Sequence, residues 1–201
     1  MGGELFKVLT VCRGNISRSP AAEFLLRHAL DHRFAIASAG VGAHMVIGSG
    51  VDRFTAAILG KRGINVSRHR ARQLSAGLIA QAELILTMSL SQRSWVTAEV
   101  PGAIGRAFTL REFARLAVAV RQQRPESVSD LVRRAAASRG VYPVAPGGSD
   151  EIADPNLGTV EDYRAAFSSV ERAVAVVVAE LNSYDRLRSP VSAHPFAGFV
   201  L

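Results

Sequence analysis

The sequence predicts an α/β fold, a three-layer sandwich in which a four-stranded parallel sheet carries helices on both faces. Three observations predict it. The strand-like runs, residues 5–11 and 83–88 above all, are apolar almost throughout instead of alternating, as in strands covered on both faces. Segments of helical period follow them in turn. A chain of 201 residues, 48% hydrophobic and 20% charged, also has the length and apolar content for a real core.

Each element has its own signal. Residues 5–11 form the first strand, and a short loop leads to a helix with Pro20 in its first turn, ending near Asp31. Residues 33–38 form a second strand. Residues 41–50, rich in glycine and poor in charge, read as a mobile loop. A helical pattern over 52–62 stops at Gly63. Residues 65–73 are a polar, arginine-rich connection holding His69. The clearest third strand is 83–88, followed by a helix over 89–98, a break at Pro101-Gly102 and a short fourth strand over 106–110. A helix over 112–120 follows. Ser127, with Asp130 three residues on, opens another that Gly140 closes. Residues 141–150 are a loop. Thr159 with Asp162 starts the last helix, whose apolar face runs through Tyr163, Ala166, Phe167, Val170, Val174, Val177, Val178 and Leu181. The expected organisation is one domain over 1–184, with a loosely ordered tail over 185–201.

Composition limits the function. One cysteine makes no internal disulfide, which fits a reducing cytoplasm and leaves Cys12 free to react. No apolar run is long enough to span a membrane, and no secretory signal is evident at the N-terminus. The net charge of +7 is nearly all arginine, with lysine only at positions 7 and 61. The arginines are scattered among helical segments rather than forming a block, which argues against a nucleic-acid surface; the charge still attracts anionic substrates.

The chemistry concentrates in Val11-Cys12-Arg13-Gly14-Asn15-Ile16-Ser17-Arg18-Ser19-Pro20. Cys12 sits where a strand stops, a loop turns and a helix begins. Loop amides and the first helix amides converge there, forming an anion site that favours a thiolate. Strand carboxyl ends are where such sheets bind ligands, and Ser38 and Met88 lie at the ends of the second and third strands. Gly14 and Asn15 tolerate the left-handed backbone that an inward-folded loop needs. Arg18 can hold two phosphate oxygens with its planar fork. Ser19 can donate to the thiol. A thiolate in a phosphate cradle formed by residues 13–18 implies phosphoryl transfer through a phosphocysteine. The competing reading is a lone cysteine buried as a small apolar side chain.

The stretch Val11-Cys12-x-Gly14-Asn15-Ile16-x-Arg18-Ser19-Pro20-x-Ala22-Glu23 resembles the signature of the low-molecular-weight protein tyrosine phosphatases. Ser38-Ala39-Gly40, His69-Arg70-Ala71-Arg72-Gln73-Leu74 and Asp154-Pro155 resemble the family in the same order, so the likeness runs through 5–115 and 150–181. The resemblance implies that Cys12 is the nucleophile, Arg18 the phosphate clamp and Asp154 the general acid, then base. Arg13, Gly14, Asn15, Ile16, Ser17 and Arg18 would form the phosphate loop. Asn15, Ser19, Ser38 and His69 would support it. It implies no metal and no organic cofactor, and a phosphorylated protein or small aryl phosphate as substrate. Read without it, Asp154-Pro155 is a common turn pair and His69 a solvated histidine.

Three departures from the family pattern stand out. Ser17 occupies a position where many members carry a second cysteine, so peroxide is expected to drive Cys12 up the oxidation ladder or into mixed disulfides. Asn156 and Leu157 follow Asp154-Pro155 where aromatic residues commonly wall the substrate ring, and His44 and Met45 in the 41–50 loop supply none. Residues 114–149 are longer than a typical member needs and add an arginine-rich helix. Two other functions stay open: an arsenate reductase on the same scaffold using an external thiol, and a non-catalytic anion-binding protein.

Overall fold

The computed structural model describes residues 4–156, 158–185 and 187. Strand β1 (Phe6–Cys12) leads through a tight loop into helix α1 (Arg18–Ala29), then strand β2 (Phe34–Gly40). Helices α2 (Arg53–Gly60) and α3 (Ala76–Gln81) precede strand β3 (Leu84–Thr87). Helix α4 (Leu90–Glu99), a short 3-10 turn (Pro101–Ala103), strand β4 (Ala107–Thr109) and helix α5 (Leu110–Val120) follow. Helix α6 (Val128–Ala137) and the long helix α7 (Val160–Asn182) complete the order.

The four strands pair in parallel in the order β2-β1-β3-β4. The chain leaves β1 toward β2 on one side and returns to β3 on the other, so the order reverses at β1, where open sheets of this kind bind ligands. The register aligns the carboxyl ends, Cys12 beside Gly40 and Val11 beside Thr87. Alternation along β1 sorts its side chains between two cores. Phe6, Val8 and Cys12 belong to the larger core with α1, α5, α6 and α7, while Leu9 and Val11 join Ile79 of α3 and Val96 of α4 on the opposite face.

Several elements differ in extent from the sequence expectation. β2 runs on to Gly40 because β1 continues to pair with it through Cys12. α5 begins at Leu110, since Thr109 and Glu112 satisfy each other's backbone N–H groups in a capping box. α3 was not expected; its six residues are too few to show a period, and only Ser75, which accepts from the Leu78 N–H, marks its start. The 41–50 loop is tied down at both ends. Val41 N donates to Cys12 O, Gly42 N to Arg13 O and Gly48 N to Ala71 O, and Ala71 N donates to Ser49 O.

α7 buries Ala166, Phe167, Val170, Val174, Val177 and Leu181 as expected, together with Glu180, which pairs with Arg121. α6 lies within the longer 114–149 stretch and is capped by Ser127. At its start, Ser129 N donates to Leu187 O, and Arg33 donates to the carbonyls of Tyr184 and Asp185. Of the expected 185–201 tail, Asp185 and Leu187 are docked in this way, and the rest lies outside the described residues. Among the described residues no helix is long and apolar enough to cross a membrane.

Candidate active site

The loop between β1 and α1 folds around the sulfur of Cys12. Asn15 adopts a left-handed backbone (φ 54°), which turns its N–H inward to the sulfur at 3.3 Å. Ser19 Oγ, in the first turn of α1, lies 2.9 Å from the same sulfur. Glycine is required on the neighbouring strand. A Cβ on Gly40 would stand 2.5 Å from Arg13 O and 2.9 Å from Asn15 N, so any side chain there collides with the loop backbone.

Behind the loop runs a buried polar chain. Asn15 Nδ2 donates to Ser19 Oγ (3.1 Å) and to Ser38 Oγ (2.8 Å), and Ser38 Oγ donates to Glu23 Oε2 (2.5 Å). His69 Nε2 meets Asn15 O at 2.7 Å, and the Arg72 N–H donates to Asn15 Oδ1 at 3.0 Å. Every polar group on Asn15 is thereby held, and a fully satisfied buried network of this kind fixes one conformation. His69 is 7% exposed, buried between exposed arginines because the chain alternates in and out there. Glu23 and Arg72 fell within the family-like stretches without an assigned role. A carboxylate at the buried end of a serine chain shows only once β2 and α1 are packed.

A second segment reaches the loop from far along the chain. Ile152 N donates to Met88 O at the end of β3, and Ile152 O accepts from Arg18 Nη1 at 2.8 Å, 134 positions away. Thr109 Oγ1 donates to Asp150 O, Arg115 pairs with Asp150 at 2.6 Å, and Glu151 accepts from the Leu90 N–H. So pinned, the segment presents Asp154, whose Oδ2 lies 2.5 Å from Arg18 Nη2. Arg18 is 5% exposed and Asp154 is accessible. Ser17 Oγ lies 2.9 Å from Thr55 Oγ1, and Asp52 N donates to Ile16 O, which joins the start of α2 to the loop.

These elements enclose a cavity of about 320 Å³ whose lining includes Cys12, Gly14, Arg18, Asp154, Met45 and Tyr163. Tyr163 corrects the sequence reading. Its position on the apolar face of the last helix assigns it to the core, and the Asp154-Pro155 turn carries only Asn156 beside it, Leu157 lying outside the described residues. Instead Tyr163, in the first turn of α7, turns toward the cavity with Phe54 packed against it at 4.9 Å. The capping box of Thr159 and Asp162 sets the entry angle of α7. Gly158 has no room for a Cβ, which would lie 2.7 Å from Asp162 Oδ2. Burial, then the carboxylates of Asp52 and Asp154, push the Tyr163 phenol above its ordinary value, so the ring stays neutral at any working pH.

Chemically, the arrangement offers a sulfur beside the Asn15 N–H and the Ser19 hydroxyl, a fixed guanidinium and a carboxyl group across one small cavity. No cluster of His, Cys, Asp or Glu among the described residues is placed to hold a metal ion.

Comparison with known proteins agrees with this geometry. The family model described as low molecular weight phosphotyrosine protein phosphatase matches residues 7–123. A probable low molecular weight protein-tyrosine-phosphatase, EpsP of Ralstonia solanacearum, is 41% identical over 105 residues, which is 52% of this chain and 70% of that one. Among solved structures, the YwlE arginine phosphatase from Geobacillus stearothermophilus superposes with a TM-score of 0.67 at 27% identity, covering 89% of this chain and 94% of its own. The tyrosine phosphatase AmsI of Erwinia amylovora superposes with a TM-score of 0.66 at 25% identity, covering 92% and 97%.

Proposed function

Because the chain belongs to the low molecular weight phosphotyrosine protein phosphatase family, we propose that it hydrolyses aryl phosphate monoesters, phosphotyrosine in proteins above all, with Cys12 as nucleophile, Arg18 as clamp and Asp154 as acid. The chain is a phosphatase; what is proposed is the substrate and the division of labour. One observation carries the reading: Asp154, more than 130 positions along the chain from Cys12 and Arg18, lines one cavity with them, and the Tyr163 ring lines it too.

The substrate phosphate enters the loop and takes the fork of Arg18, leaving the Asp154 carboxyl group free to face the ester oxygen. The Cys12 thiolate attacks phosphorus. The P–O ester bond breaks, its electron pair goes to the leaving oxygen, and Asp154 gives that oxygen its proton. The negative charge on the equatorial oxygens is met by Arg18 and the loop N–H groups, which act most strongly in a site shielded from water. Asp154, now a carboxylate, then takes a proton from water as that water attacks phosphorus. The P–S bond breaks, and the thiolate and inorganic phosphate are released. Ser19, held by Asn15, donates to the sulfur each time it leaves as a thiolate. Asn15, Ser38 and His69 serve by holding the loop in this shape.

Hydrolysis of a chromogenic aryl phosphate by wild type, Cys12→Ser and Asp154→Asn tests the assignment. Cys12→Ser is expected to lose all measurable turnover, and Asp154→Asn to lose about 10²–10⁴-fold in kcat with little change in KM. Full activity in Cys12→Ser would overturn it. Parallel assays with phosphotyrosyl and phosphoarginyl peptides, and with arsenate plus glutathione, separate the proposed substrate from its rivals.

A further inference from the structure

Between α1, β2 and the 65–72 segment lies a second cavity of about 660 Å³, larger than the one at Cys12. We propose that it is a binding site for a compact polyphosphate, a ligand carrying two or more linked phosphate groups. Four arginines line it, Arg27, Arg68, Arg70 and Arg72, with one acidic residue, Glu23. Three of the four recur at every second position of one segment, so an alternating chain sends them to the same side while His69 and Ala71 go inward, both buried.

Like charges gathered in this way repel unless an anion joins them, and internal pairing accounts for little of this set. Arg27 pairs with Glu23 at 3.1 Å. Arg70 donates only to the carbonyls of Ser67 and His69, and Arg72 Nε only to Ser38 O. Arg68 makes no hydrogen bond or ion pair among the described residues. Arginine forks match phosphate oxygens two at a time, and several of them around one cavity suit linked phosphates better than a single one. A volume in the range of small-ligand sites accommodates such a group.

The floor of this cavity is built rather than incidental. Glu23, Ser38 and His69 are each more than nine-tenths buried, and all three line it. They are also the outer members of the polar chain that runs to Asn15 and Cys12. Arg72 holds Asn15 Oδ1 with its N–H and Ser38 O with its side chain. A polyphosphate drawing on Arg72 and Arg27 therefore pulls on the groups that hold the phosphate loop.

Titration calorimetry with inorganic tripolyphosphate tests the site on full-length protein whose Cys12 has been alkylated, as verified by mass spectrometry, so that the catalytic cavity is blocked. One ligand per chain is expected to bind, with affinity falling as salt rises. The Arg68→Ser/Arg70→Ser double variant, alkylated in the same way and checked by thermal unfolding for a native transition, is expected to bind at least tenfold more weakly. Orthophosphate is expected to bind at least tenfold more weakly than tripolyphosphate. Absence of binding to the alkylated protein, or equal binding by the natively folded double variant, would overturn the proposal. Because the catalytic cavity is blocked, neither result depends on the catalytic assignment.

Discussion

Tyr163 shows how a single side chain sets the reach of the site. Its ring, backed by Phe54, is an aromatic surface lining the cavity at Cys12. Stacking on an aryl substrate contributes about 0.5–1.5 kcal/mol beyond buried area. Tyr163→Ala is therefore expected to raise KM for an aryl phosphate about three- to tenfold, to leave an alkyl phosphate nearly unaffected, and to be rescued by Tyr163→Phe. Steady-state kinetics on the two substrate types reads this directly. The loop that folds around the Cys12 sulfur was legible in the sequence because its parts are contiguous: Cys12, Gly14, Asn15 and Arg18 fall in one stretch between strand and helix. Tyr163 was not, because a residue one turn before Ala166 and Phe167 fits the apolar face of α7 equally well. Only the angle at which α7 leaves the Gly158 turn sends it to the cavity. Glu23 and Arg72 were hidden for a related reason. Their partners, Ser38 and Asn15, come from other elements, and no local pattern announces a contact made by packing.

At the scale of elements, α6 is held at its start by a buried acid. Asp130 accepts from the Glu126 N–H and pairs with Arg133 and Arg134, while its own N–H donates to Ser127. Burial pushes the carboxyl group up, but the Glu126 amide and the two arginines outweigh it and hold it below its ordinary value. A folded value below the unfolded one, about 3.9, means that this stabilisation is complete above that pH and is lost as pH falls through the folded value. Asp130→Asn is expected to cost about 1.5–3 kcal/mol at pH 7, and the difference from wild type is expected to shrink as the pH falls below about 4. Denaturant melts at the two pH values measure it. Strong caps made elements legible: Ser127 with Asp130 and Thr159 with Asp162 marked helix starts that the structure contains. α3 escaped because six residues carry no readable period. The extension of β2 to Gly40 escaped because pairing with β1 sets it, and glycine has low strand propensity of its own.

For the whole molecule, the parallel sheet gathers every strand's carboxyl end at one edge, and the cavity at Cys12 forms there from an early and a late segment of the chain. Arg18 grips Ile152 and Asp154, and α7 packs against α1, α2 and α5. We propose that residues 1–184 unfold as a single unit, α6 included. Calorimetry is expected to show one transition with equal calorimetric and van't Hoff enthalpies; a separate early transition would contradict it. The scattered arginines gain a physical reason at this scale. Arg93, Arg139, Arg115 and Arg121 pair with the buried or half-buried acids Glu112, Asp150 and Glu180 from other parts of the chain, a role that a sequence rich in arginine throughout does not single out.

The central claim is that phosphate passes through the sulfur of Cys12. Rapid acid quench of the protein during turnover of an aryl phosphate, followed by mass spectrometry of its peptides, tests it most directly. The account predicts a phosphoryl group on the peptide carrying Cys12, accumulating further when the water-activating carboxylate is removed in Asp154→Asn with a substrate whose leaving group needs no proton, and absent in Cys12→Ser. Turnover by wild type with the phosphoryl group on another residue, or phosphoenzyme formation that persists in Cys12→Ser, would contradict it.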